Sequence, residues 1–155
     1  MAKWLALAAA IVAADQLAKY AAVQYLAANQ AVAVTPFLNL VLVYNAGAAF
    51  SFLSDAAGWQ RGLFIALALV ASAWIVYLLR RYPNERLFSA ALALVLAGAV
   101  GNVIDRILVG AVIDFLDVHA WGYHWPAFNV ADSAITCGAA LLIWDALRPR
   151  PSVKD

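Results

Sequence analysis

The chain has 155 residues, of which 66% are hydrophobic and only 12% charged, with a mean hydropathy of +0.83. About a quarter of an average soluble domain is charged, so this composition excludes an ordinary water-soluble globule and points to a single integral-membrane domain. A net charge of +1 argues neither for nor against nucleic acid, which is not expected as a partner, and the lone Cys137 excludes an internal disulfide.

The first apolar segment runs from Trp4 to about Leu26, long enough to span a bilayer as a helix. A short basic start before an Ala/Leu/Val run also describes a secretory leader. The apolar character resumes after Lys19, however, so a retained span is expected. Asp15 and Lys19 stand four apart and share one helical face. They either neutralise each other in the bundle interior or reach an active site or a phospholipid headgroup, Lys19 by snorkelling outward.

Residues 29 to 60 then lie outside the membrane. Pro36 to Tyr44 is rich in β-branched and aromatic residues and reads as a strand. Asn45 and Gly47 open a small-residue turn, and the apolar Phe50, Phe52 and Leu53 suggest an amphipathic platform at the interface, able to hold an extended peptide by backbone pairing.

The second segment, Gly62 to Leu79, has no charge and ends on Arg80 and Arg81. A short link with Pro83 leads to the third, Leu87 to about Ile104, whose Ala97, Gly98, Ala99 and Gly101 permit close helix approach in lipid. The fourth runs from about Phe128 to Leu147, preceded by Trp121, Tyr123 and Trp125 as an outer aromatic belt. Lys3, the cluster Arg80, Arg81 and Arg86, and the tail residues Arg148, Arg150 and Lys154 hold seven of the ten basic residues. Four spans with both termini in the cytoplasm put all seven on one side, as the positive-inside rule requires.

The stretch from Gly98 to Thr136 carries four of the nine acids and both histidines. Asp114 follows an apolar run where the chain leaves the third segment, and Asp132 lies a little more than one turn into the fourth, so the two share one depth near the outer surface. Two carboxylates in a low-dielectric pocket cannot both ionise comfortably; one holds a proton while the other acts as base toward a shared water. Such a pair cleaves a peptide bond without metal. The residues alone leave three alternatives open: a divalent-metal hydrolase site using Asp114, Asp132, Asp117 and His119 or His124; a small proton- or ion-coupled transporter whose path uses Asp15, Lys19 and Asp105; and acids that are merely structural. Histidines on a connecting loop are expected to be solvated or bonded to backbone, and Cys137 to be a packing residue.

Several blocks of sequence narrow these choices. GNVIDR (Gly101 to Arg106), VIDF (Val112 to Phe115), Val118 and His119, and PAFNVADSAIT (Pro126 to Thr136) together resemble the bacterial lipoprotein signal peptidases, or signal peptidase II. DQLAK (Asp15 to Lys19) and NAGAAF (Asn45 to Phe50) match in the same order. The resemblance implies an all-α polytopic membrane protein of four transmembrane helices, with a small extracytoplasmic β platform between the first two. It implies an aspartic endopeptidase with Asp114 and Asp132 as the catalytic pair, no metal and no cofactor. Asp15, Lys19, Asn45, Gly47, Asn102, Asp105, Arg106 and Asn129 map onto substrate-binding or supporting positions. The implied substrate is a diacylglyceryl-modified prolipoprotein, cut just before its lipidated cysteine. The implied setting is the bacterial inner membrane, in contact with phospholipid, with the protein as a monomer.

Overall fold

A computed structural model describes residues 1–28, 30–47 and 58–148. Helix α1 spans Ala2–Tyr25, strands β1 and β2 span Val32–Thr35 and Leu38–Asn45, and helices α2 and α3 span Trp59–Arg81 and Arg86–Leu108. Strands β3 (Val112–Ala120) and β4 (Tyr123–His124) lead into helix α4, Val130–Leu147. All four helices are long and apolar enough to cross a membrane. The expected Phe50, Phe52 and Leu53 platform lies outside the described residues.

Helix α3 is the axis of the bundle: 56% of its apolar window is buried, against 11% for α2 and 22% each for α1 and α4. Its small residues explain this position. A Cβ added at Gly98 would overlap the Ala131 carbonyl and approach Ile135 Cγ1 to 2.5 Å, so α4 rests on the α3 backbone itself. Ala8 of α1, Ile75 and Leu79 of α2, and Leu92, Ala93, Leu96 and Ala97 of α3 form an apolar core in the half of the bundle that carries the helix ends rich in arginine. Large apolar side chains such as Leu67, Val70, Trp74 and Ile143 face outward, as a lipid-facing surface requires.

The opposite end is closed by an antiparallel sheet ordered β1-β2-β3-β4. Two differences from the sequence reading are instructive. The strand read from Pro36 to Tyr44 starts only at Leu38: Pro36 and Phe37 form a turn, because proline lacks the N–H that a continuous ladder needs, and the additional strand β1 before it pairs back on β2. Asp114 does not end a helix; it lies in β3, paired with Val43 of β2, so the α3–α4 connection completes the sheet begun between α1 and α2. Beyond β3, Trp121 and Gly122 both take positive φ and turn the chain into β4, leaving Trp121 and Tyr123 96% and 82% exposed.

Candidate active site

The N-terminus of α4 organises the site. Asn129 is its N-cap: Asn129 Oδ1 accepts from the Asp132 amide at 2.9 Å, and Asp132 Oδ2 accepts from the Asn129 amide at 3.3 Å. This reciprocal box satisfies two backbone donors and holds Asp132 in the first turn, one turn earlier than its position in the sequence suggests. The next free amide, that of Ala131, is capped across the bundle by Asp15 Oδ1 at 2.8 Å. A carboxylate in the first turn also gains from the helix dipole.

Lys19 is 1% exposed and does not reach a headgroup. Its ammonium lies 2.8 Å from Asp15 Oδ2, 2.7 Å from Asp105 Oδ2 and 3.1 Å from Asn102 Oδ1, so three donors meet three acceptors. That geometry dictates the next contact. With the Asn102 carbonyl turned to Lys19, its amide group faces the other way and donates to Asp132 Oδ1 at 2.8 Å. Asn129 Nδ2 does the equivalent for the second acid, donating to Asp114 Oδ1 at 2.7 Å and also approaching Ile113 O and Asn102 Oδ1. The two aspartates are therefore joined through a pair of touching asparagine side chains. Asn45 Nδ2 donates to Asp114 Oδ2 at 3.2 Å, and Asn45 Oδ1 accepts from the Gly47 amide at 3.0 Å, which makes the expected turn and a support for Asp114 from one residue.

Asp105 and Arg106 are adjacent and point to different partners. Asp105 holds Lys19, accepts from the Ile113 amide at 3.1 Å and so fixes the start of β3. Arg106 donates to Gly47 O at 2.9 Å, lies 4.9 Å from the Phe64 ring centre and interacts electrostatically with Asp132, Asp105 and Asp114. Gln16, not singled out by the sequence reading, donates to Asp105 Oδ1 at 2.9 Å and to Asp15 Oδ2 at 3.2 Å. Its place beside Asp15 in a polar run was the available signal.

Asp114 is 2% exposed. Burial, reinforced by the charge of Asp132, pushes its carboxyl from 3.8 up to about 7 against the hydrogen bonds from Asn45 and Asn129. Asp117 lies three positions along β3, on the other face of the strand. There burial raises its carboxyl, but hydrogen bonds from Asn39 and His124 outweigh that and hold it below the usual range. His124 is exposed, as expected of a loop histidine, but its Nδ1 also sits 2.8 Å from Asp117 Oδ1 and its ring stacks on His119 at 5.0 Å. The acids and histidines of the metal alternative are thus divided between two faces of β3. Cys137 is exposed on the outer surface of α4, not packed in the core.

Three buried carboxylates, Asp15, Asp105 and Asp114, and the half-buried Asp132 thus stand with Lys19 and Arg106 at the sheet end of the bundle. The profile of the Signal peptidase (SPase) II family fits residues 7–148. This chain belongs to the signal peptidase II family. Proteins named lipoprotein signal peptidase from Paraburkholderia phymatum and Burkholderia vietnamiensis are 56% and 58% identical to it over 148 residues, covering 96% of this chain and 89% of each relative. Two solved structures described as a bacterial membrane enzyme, studied by the in meso method, superpose with TM-scores of 0.84 and 0.85. They are 31% and 32% identical in sequence and cover 100% and 97% of the chain, and 93% and 96% of their own. Membership in this family makes the protein a multi-pass membrane peptidase of the lipoprotein signal peptidase type, an aspartic peptidase.

Proposed function

We propose that Asp114 and Asp132 are the catalytic pair with which this peptidase removes signal peptides from diacylglyceryl-modified prolipoproteins, cutting before the lipidated cysteine. The observation that carries the reading is the linked set Asp132, Asn102, Asn129 and Asp114, in which each acid is gripped by an asparagine amide at 2.7 to 2.8 Å. The charges favour a shared proton: Asp15, Asp105, Asp114 and Asp132 outnumber Lys19 and Arg106, and Asp114, raised to about 7, is the acid that keeps its proton near neutrality.

Chemistry then follows from the positions. Asp132, held at a helix N-terminus as a carboxylate, takes a proton from water as the water oxygen attacks the scissile carbonyl carbon. Asp114 gives its proton to the carbonyl oxygen. In the collapse the C–N bond breaks, the leaving nitrogen takes the proton held by Asp132, and a hydroxyl of the tetrahedral intermediate returns one to Asp114. Asp15, Lys19, Asn102, Asp105 and Asn129 hold the pair in register, while Asn45, Gly47 and Arg106 border the side where peptide is bound. No metal or cofactor enters these steps.

Helix directions support an orientation. The ends of α1, α2, α3 and α4 that carry Lys3, Arg80, Arg81, Arg86 and Arg148 lie together, opposite the sheet, so both termini are cytoplasmic and the site faces the extracytoplasmic leaflet. The lipid moiety of the substrate stays in the bilayer, a membrane phospholipid environment, while the peptide reaches the pair at headgroup level, and one monomer suffices.

The test is cleavage of a lipidated prolipoprotein substrate by purified protein, with products separated by mass. Asp114→Asn and Asp132→Asn each lose at least a thousandfold in rate, and the parent keeps full rate in excess chelator. Either variant within tenfold of the parent, or strict dependence on one divalent ion, rejects the assignment.

A further inference from the structure

Gln60 sits in the first turn of α2, outside the segment whose apolar run marks it as a span. It is only 5% exposed, yet its side-chain carbonyl Oε1 is buried without a hydrogen-bond partner. Arg106 Nε is likewise buried and unpartnered. Helix geometry relates the two residues. Gln60 is one turn from Phe64 on the same face of α2, and the Phe64 ring carries the Arg106 guanidinium at 4.9 Å. On the neighbouring position, Arg61 donates to Ile107 O at 3.1 Å, which locks the first turn of α2 against the last turn of α3. From Arg106 the contacts run through Gly47 O and Asn45 to Asp114 Oδ2.

An unpaired buried acceptor is costly, because it has given up water and received nothing in exchange. Here an acceptor on α2 and a donor on α3 are each left open, and the donor belongs to the arginine that holds Gly47 beside Asn45. A peptide main chain offers the matching groups, an N–H for Gln60 and a C=O for Arg106. We propose that Gln60 is a substrate-positioning residue whose Oε1 accepts a hydrogen bond from a main-chain N–H of the bound signal peptide. This rests on the assignment of Asp114 and Asp132 as the place where the bond is cut. It adds a contact with substrate to α2, whose other roles are the apolar scaffold, the Phe64 platform and the Arg61 lock on α3. Being directed at backbone, the contact is indifferent to side-chain identity and suits an enzyme that accepts many signal peptides.

The experiment combines a volume-conserving variant with substrate backbone edits. Full-length Gln60→Met, and Gln60→Leu as a second variant, are compared with parent for KM, kcat and thermal unfolding. Substrates carry a single ester in place of each main-chain amide flanking the scissile bond, one position at a time. The expected result is a KM raised about tenfold with kcat within about twofold, as loss of one uniform binding contact predicts. The unfolding midpoint is unchanged or higher, since the variant removes an unpaired polar atom. One ester position raises KM in the parent and has no further effect in the Gln60 variants, as two halves of one hydrogen bond must behave. An unchanged KM overturns the proposal, as does a lowered midpoint in both variants, or ester effects that add to the Gln60 effect at every position. Asp114→Asn remains inactive in each of these cases if the catalytic pair is right, so failure at Gln60 is separable from failure of the pair.

Discussion

Replacing Asp114 by asparagine separates the cost of keeping an acid in this site from its use. In the folded protein the Asp114 carboxyl is raised from 3.8 to about 7, first by burial and then by the charge of Asp132. For a raised carboxyl the sign is fixed: the folded state prefers the protonated form, so stability present below about pH 4 is lost as pH rises to about 7 and then levels off. The gap between 3.8 and about 7 is worth about 4 kcal/mol at about 1.4 kcal/mol per pH unit. Asparagine does not titrate, but it gives up one of the two bonds that Asp114 accepts from Asn45 and Asn129, which costs about 1 kcal/mol at every pH. The variant is therefore slightly less stable than the parent at pH 4 and more stable by about 3 kcal/mol above pH 8. For a chain of this size that difference moves the unfolding midpoint by roughly 10 °C across the range. The assay is thermal unfolding in detergent micelles from pH 4 to pH 9, followed by tryptophan fluorescence, on a variant that has lost cleavage. Midpoints for the two proteins that run parallel within about 2 °C over the whole range would refute the claim that Asp114 is held protonated near neutrality.

Two further changes test the frame around the pair. Lys19→Met removes the cation that faces both Asp15 and Asp105 and leaves two buried carboxylates uncompensated; it should cost about 3–5 kcal/mol, seen as a fall in the unfolding midpoint at pH 7 that shrinks when those acids are protonated. Gly98→Val drives a side chain into the Ala131 carbonyl, one residue from Asp132. It should cost about 1–3 kcal/mol and lower the cleavage rate along with stability, whereas Val at the exposed Gly62 position, where an added Cβ meets nothing, should do neither.

The four spans and their order were legible in the sequence because lipid imposes the simplest of constraints: about twenty apolar residues with little charge. Asp15, Lys19, Asp114 and Asp132 also stood out, since an ionisable residue in such a run has a cost that demands a reason, whereas Asn102 was marked only by the family resemblance. What periodicity does not carry is pairing between segments far apart in the chain. Asp114 reads as the start of the outer loop beyond the third span, but 69 residues separate it from Asn45, and only the β2–β3 ladder places the two in contact. Asp132 reads as a residue inside a helix, and only the Asn129 cap shows that the helix begins beside it. Lys19 was legible as a partner of Asp15 four residues away, whereas its ion pair with Asp105 and its hold on Asn102 depend on how closely α1 and α3 pack. Gln60 carried no signal of its own. A glutamine is inexpensive at a helix end in sequence, and its importance appears only when burial removes its water and leaves its neighbours to be counted.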